Sequence, residues 1–101
     1  MTIKLSILIP SISDHLTELD HLIKKLQKQT ANQPVEILAF IDNKKRTTDS
    51  KRDSLKEEAK GDFIIFIEDH TEISSNYVDE LLSTLEKNST NDFVNKGIIK
   101  K

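Results

Sequence analysis

Three apolar runs punctuate the chain, and a polar stretch with helical spacing follows each. The first, Leu5-Ser6-Ile7-Leu8-Ile9, predicts a strand stopped by Pro10, whose ring removes a backbone donor. Leu16, Leu19, Leu22 or Ile23, and Leu26 then recur at helical intervals, with Ser13 or Asp14 placed to act as N-cap. The second run, Val35-Glu36-Ile37-Leu38-Ala39-Phe40-Ile41, ends at Asp42-Asn43, and a helix over about 48–60 follows it. Gly61 is expected just past that helix, at the C′ position. The third run, Phe63-Ile64-Ile65-Phe66-Ile67, is unbroken, aromatic and β-branched, as in a strand buried on both faces. A helix over about 75–87 comes next, with Val78, Leu81, Leu82 and Leu85 turned inward. The tail from Asp92-Phe93-Val94 to Ile98-Ile99 is expected to add one more strand.

Strands that alternate with helices imply βαβ units. The fold class is therefore α/β, a three-layer sandwich around a mainly parallel sheet. Right-handed crossovers bring the ends of all three strands to one edge. With 101 residues, no internal repeat and no linker, residues 1–101 form a single domain. The polar joint from Asn88 to Asn91 is too short to separate two.

Composition narrows the chemistry. A net charge of -2 exerts no global pull toward nucleic acid or an anionic membrane, so neither is an expected partner. The absence of cysteine excludes disulfides, thiolate metal sites and cysteine nucleophiles. The N-terminal apolar run is too short for a signal peptide or a membrane span, which points to a cytoplasmic protein without membrane insertion. Gly61 and Gly97 are the only glycines. No glycine-rich phosphate loop can be built, so dinucleotide-fingerprint and P-loop readings are excluded.

What remains is the set of strand ends. They read Pro10-Ser11-Ile12-Ser13-Asp14, Asp42-Asn43-Lys44-Lys45-Arg46, and Glu68-Asp69-His70. A doubly buried strand should not run into two carboxylates and an imidazole unless it opens onto water or a ligand. The carboxyl edge of a parallel sheet is where such folds bind ligands. Carboxylates accept from base N–H groups and ribose hydroxyls, while cations or a metal neutralise phosphate, so the mixture suits a nucleotide. Asp42 is read as a ligand contact, or else as a capping aspartate in a turn. Asp69 is read as a ligand contact, and His70 as a ligand contact or a surface residue. Glu68 lines the same end or pairs with Arg52 or a lysine. Arg52 lies three residues before Leu55 and so faces the sheet, either pairing with Asp42 or Asp69 or touching ligand. His15 and His21 are expected to be solvated, and Lys44-Lys45-Arg46 to form a solvated loop or, alternatively, to touch phosphate.

Taken in order, these segments resemble family 2 glycosyltransferases of the GT-A fold. Leu5 to Ser11 is similar to the family's opening strand, with its proline and small hydroxyl residue. Val35 to Asn43 resembles its second strand, whose terminal aspartate reads the base. Lys51-Arg52-Asp53 with Ala59-Lys60-Gly61-Asp62-Phe63 resembles its Arg-Asn and Ala-x-Gly-x-aromatic stretch. Phe66 to His70, with Ile73-Ser74 and Tyr77-Val78, resembles its aspartate-rich metal motif and the helix after it. The resemblance spans about residues 3–85 and implies a Rossmann-like half that binds a nucleotide or nucleotide sugar of the UDP or CDP/CMP kind. It implies that Pro10, Ser11 and Ile12 flank the base, that Asp42, Arg52, Glu68 and Asp69 complete the pocket, and that Asp69 and His70 face manganese or magnesium. It also implies sugar transfer with inversion.

Two departures stand beside it. His70 occupies a place where an aspartate is usual, and imidazole suits manganese better than magnesium. The family's second half, with acceptor site and catalytic base, has no counterpart in these residues, so the catalytic group is unassigned. A homodimer or a partner subunit would have to supply the acceptor side. The alternatives are a nucleotide-binding module without turnover and, from another class, a receiver-like interaction domain. The latter wants an acidic pair after the first strand, where this chain has Pro10-Ser11-Ile12.

Overall fold

A computed structural model, describing residues 2–42, 45, 47–87 and 90–101, carries the first strand through Pro10 rather than stopping there. Strand β1 covers Leu5–Ile12, followed by a 3-10 turn, Ser13–His15, and helix α1, Leu16–Thr30. Then come β2 (Val35–Asp42), α2 (Thr48–Glu58), β3 (Phe63–Phe66), α3 (Tyr77–Lys87), α4 (Thr90–Lys96) and β4 (Ile98–Lys100). The strand order is β2-β1-β3-β4. β1 pairs in parallel with β2 and β3, and β4 runs antiparallel to β3. The chain is thus a small α/β domain with a mixed, mostly parallel sheet and flanking helices.

Pro10 ends one ladder and not the other. The Leu8 carbonyl accepts from the Ile67 amide, so Leu8 turns its backbone groups toward β3. By strand alternation the Pro10 nitrogen faces the same side, and it has no hydrogen to give. Pairing with β3 stops at Leu8–Phe66, whereas pairing with β2 continues to Ile12–Asp42. A proline is tolerated where a neighbouring ladder is finishing.

Three further expectations are corrected. Neither Ser13 nor Asp14 caps α1; His15 holds the cap position and makes no capping bond, because its ring is turned to Asp69. α2 ends at Glu58 with Ala59 as an extended cap, so Gly61 is not its left-handed C′ residue. The left-handed glycine is Gly97 (φ 79°), which closes α4. The tail is a short helix plus a strand, not a single strand, and Phe93 of α4 meets Phe63 of β3 edge-to-face at 5.3 Å.

Gly61 answers a different need. A Cβ there would lie 2.8 Å from the Ser6 nitrogen and hydroxyl, inside contact distance of the central strand. Its amide donates to the Ser6 hydroxyl (2.9 Å), which in turn donates to Glu36 Oε2 (2.5 Å).

Two apolar clusters form around β1. Leu19, Leu22 and Leu26 of α1 and Val78, Leu81 and Leu85 of α3 pack with Leu5, Ile7, Ile9 and Ile65. Leu55 and Ala59 of α2 pack with Leu8 and Ile64. Gln29 of α1 ties α3 in place, accepting from the Val78 amide (2.9 Å) and donating to the Ser74 carbonyl (2.8 Å). α2 is the thinly anchored helix, because burying one leucine supplies only about 1.5–3 kcal/mol. Something else must seat it. Among the described residues no helix is long and apolar enough to cross a membrane.

Candidate functional site

The three parallel strands end side by side, and a cation from α2 joins two of those ends. Thr47 caps α2 by accepting from the Ser50 amide (3.1 Å), which fixes the first turn and brings Lys51 inward. Lys51 Nζ lies 2.8 Å from Asp42 Oδ1 at the end of β2 and donates to the Ser11 carbonyl on β1 (3.0 Å). Its side chain is 5% exposed and that of Asp42 12%. A lysine so deeply placed is stable only because both partners are there.

Asp69, buried just beyond β3, gathers the other groups. Its Oδ2 accepts from the Ser11 hydroxyl (2.7 Å) and lies 3.0 Å from His15 Nδ1. Its Oδ1 lies 3.2 Å from His70 Nδ1, and His70 Nε2 lies 3.0 Å from Glu68 Oε2. A neutral imidazole donates to one of these carboxylates and an imidazolium to both. Burial pushes the Asp69 pKa up, but hydrogen bonds from Ser11, His70 and His15, with the charge of His15, outweigh it and leave the carboxyl below its ordinary value.

A cleft of about 280 Å³ opens over this group, and Pro10, Ser11, Ile12, Glu68, Asp69 and His70 all line it. Asp42 stands behind Lys51, which itself faces the cleft. Arg52 is placed elsewhere: it is exposed, with its guanidinium 5.3 Å from the centre of the Phe66 ring. The ion pair expected of Arg52 with Asp42 is made by Lys51. His15 is exposed as expected, 46% of its side chain, and it also lines the cleft and lies 3.0 Å from Asp69. Asn43, Lys44 and Arg46 of the second strand end, and Asn88 and Ser89 of the polar joint, lie outside the described residues.

The donor set does not fit a divalent ion as it stands. Among the described residues no three His, Asp or Glu groups converge in a metal-holding arrangement. Both nitrogens of His70 face carboxylates, and both oxygens of Asp69 already accept hydrogen bonds. The chemistry that remains is polar recognition: two strand-end carboxylates, a buried ammonium, a hydroxyl and two imidazoles around one opening.

Lys51 carried a partial signal in the sequence. It lies four residues before Leu55 and eight before Ala59, on the rim of the same stripe as Arg52. His15 carried none. Comparison with family models, with curated proteins and with solved structures gave no match for this chain.

Proposed function

We propose that this chain is a nucleotide-binding domain of glycosyltransferase type, GT-A-like and three-layered, taking a nucleotide or nucleotide sugar of the UDP or CDP/CMP kind at its carboxyl edge. The supporting observation is that Ser11, at the end of β1, links the groups at the other two strand ends. Its carbonyl accepts from buried Lys51, the partner of Asp42 at the end of β2, and its hydroxyl donates to Asp69 just beyond β3. The chain leaves β1 toward β2 and leaves β3 the other way, toward β4, so the strand order reverses between β1 and β3, and open α/β sheets bind ligands at such a reversal. In this reading Asp42 holds Lys51 where the base enters, Asp69 accepts from ribose hydroxyls, and Lys51, His15 and His70 supply positive or hydrogen-bonding groups toward base carbonyl oxygens and phosphate. Ligand pockets run to roughly 300–1,000 Å³. A cleft of about 280 Å³ therefore accommodates the nucleoside end and leaves an attached sugar outside.

A second reading, binding without turnover, has its own observation. Asp42, Glu68 and Asp69 are each engaged by lysine, serine or histidine, and none stands free as a general base. Transfer would need a base from outside these residues.

Thermal unfolding against a nucleotide panel, with and without manganese, tests the proposal. A bound pyrimidine nucleotide should stabilise the chain by about 2.7 kcal/mol at a hundredfold excess over its dissociation constant. Asp42→Ala, compared with its own unliganded melting, should lose that shift. No shift with any uridine, cytidine or guanosine nucleotide overturns the reading. Release of free sugar from a donor, dependent on Asp69, would decide for turnover over binding alone.

A further inference from the structure

β2 is an outer strand of the sheet, eight residues long, and among the described residues no element covers its free edge. The Leu5 amide donates to the Pro34 carbonyl, which fixes the parity of the strand. Even-numbered residues turn their backbone groups to β1, and Val35, Ile37, Ala39 and Ile41 turn theirs outward. The Val35 amide meets the Gln33 carbonyl, and among the described residues no other backbone group meets this edge. Natural edge strands deter pairing with a lysine, a proline, a bulge or a covering element. β2 pairs with β1 residue for residue without a bulge, and its only charges are Glu36 and Asp42. Both are already held, Glu36 by Ser6 and the Lys60 amide, Asp42 by Lys51.

The flank of α1 beside this edge carries apolar residues as well. Leu19, Leu22 and Leu26 mark the buried centre of the helix, while Lys25 and Gln29 reach Glu72 and Ser74 on the α3 side. At 3.6 residues per turn, Leu16 and Ile23 fall on the opposite flank, toward β2. Leu16 is 49% exposed and Ile41 45%. Val35 and Ile37 pack on the α1 side, so Ala39 and Ile41 point to that side too.

We infer that this edge pairs with the same edge of a second copy, antiparallel about a two-fold axis, joining two sheets into one of eight strands. An exposed row of donors and acceptors beside an apolar strip fits an extended apolar strand, and a second copy presents one of equal length. Outward residues must face outward residues, which limits the registers. Pairing centred on Leu38 sets Val35 opposite Ile41, Ile37 opposite Ala39 and Glu36 opposite Phe40, each twice by symmetry. Centring on Ala39 would set Glu36 against Asp42, acid against acid. Centring on Ile37 would put Ile41 opposite Gln33, outside the strand. The Leu38 register alone keeps the apolar pairs and avoids like charges. The interface needs no ligand, and its outward residues Val35, Ile37, Ala39 and Ile41 are not among those proposed to hold the nucleotide.

Sedimentation and amide exchange on the intact chain test this. The wild type should have twice the 11.6 kDa mass of one chain. Ala39→Pro removes an outward donor without touching the β1 ladder, and Ile41→Lys places a charge opposite Val35. Each should give the single-chain mass with an unchanged circular dichroism spectrum. The amides of Ile37, Ala39 and Ile41 should exchange slowly in the wild type; in the variants those outward amides that remain (proline at 39 has none) should exchange rapidly, while Leu38 and Phe40 stay slow in all three. A wild-type monomer with fast outward amides overturns self-pairing and leaves the edge to an extended segment of another chain. A dimer that survives both substitutions, or one in which those amides exchange freely, overturns it as well.

Discussion

Replacing Lys51 with methionine asks whether a charge seats α2. Methionine keeps an unbranched stem against Leu55 and removes the ammonium that reaches Asp42 at 2.8 Å and the Ser11 carbonyl at 3.0 Å. Removing one partner of a fully buried pair costs about 3–5 kcal/mol. Asp42 keeps 12% of its side-chain surface, so water partly solvates the carboxylate left behind. The expected loss is therefore somewhat below that range, about 2–3 kcal/mol. For a domain of this size that lowers Tm by roughly 8–24 °C. Urea unfolding should show a lower midpoint at constant m-value, the sign of an unchanged native state. Adding Asp42→Asn removes the orphaned charge and should restore about 1 kcal/mol or more, so the two substitutions are not additive. A loss below about 0.5 kcal/mol, or strict additivity, would refute the assignment of this pair as the anchor of α2.

Gly61→Ala should destabilise by about 1–3 kcal/mol, read as a shift in urea midpoint, because the new methyl meets the backbone of β1 rather than a flexible side chain. A neutral result would show that the segment entering β3 moves freely. Asp69→Asn should cost about 1–3 kcal/mol at neutral pH by weakening bonds to a charged acceptor. The folded pKa of Asp69 is depressed, so its contribution is complete above the ordinary carboxylate value and is lost as pH falls through the lowered one. The difference between wild type and variant should shrink across that acidic window. A difference independent of pH would rule out the ionised carboxylate as its source.

Much of this fold was written in apolar periodicity. The runs at Leu5, Val35 and Phe63 became the three parallel strands, and the inward stripe of α3 was legible at Val78, Leu81 and Leu85. What escaped depended on partners distant in sequence. Whether Pro10 ends a strand depends on which neighbour its nitrogen faces, and that requires the strand order. On α2, Lys51 and Arg52 occupy opposite rims of the stripe made by Leu55 and Ala59. Helical spacing does not choose between them. The choice is made by what waits on each side, a carboxylate and a carbonyl for Lys51 and the ring of Phe66 for Arg52. His15 was unreadable for the same reason, since its partner Asp69 is 54 residues away. Asp69 itself, at the end of a buried run, was visible as a group that needed company.

The Ser6 hydroxyl bears on how the chain folds in time. It sits with no exposure near the start of β1, joined on one side to Glu36, 30 residues away, and on the other to the Gly61 amide, 55 residues away. A partly assembled sheet of β1 and β2 alone would offer this hydroxyl only one of its two contacts and leave the other edge of β1 bare. Closing the longer loop carries the larger entropic cost, and its reward arrives only when residue 61 docks. Non-local closure of this kind sets the pace of small parallel sheets. On a ribosome, β1 must therefore wait for the residues around Gly61 to emerge before its central position in the sheet means anything.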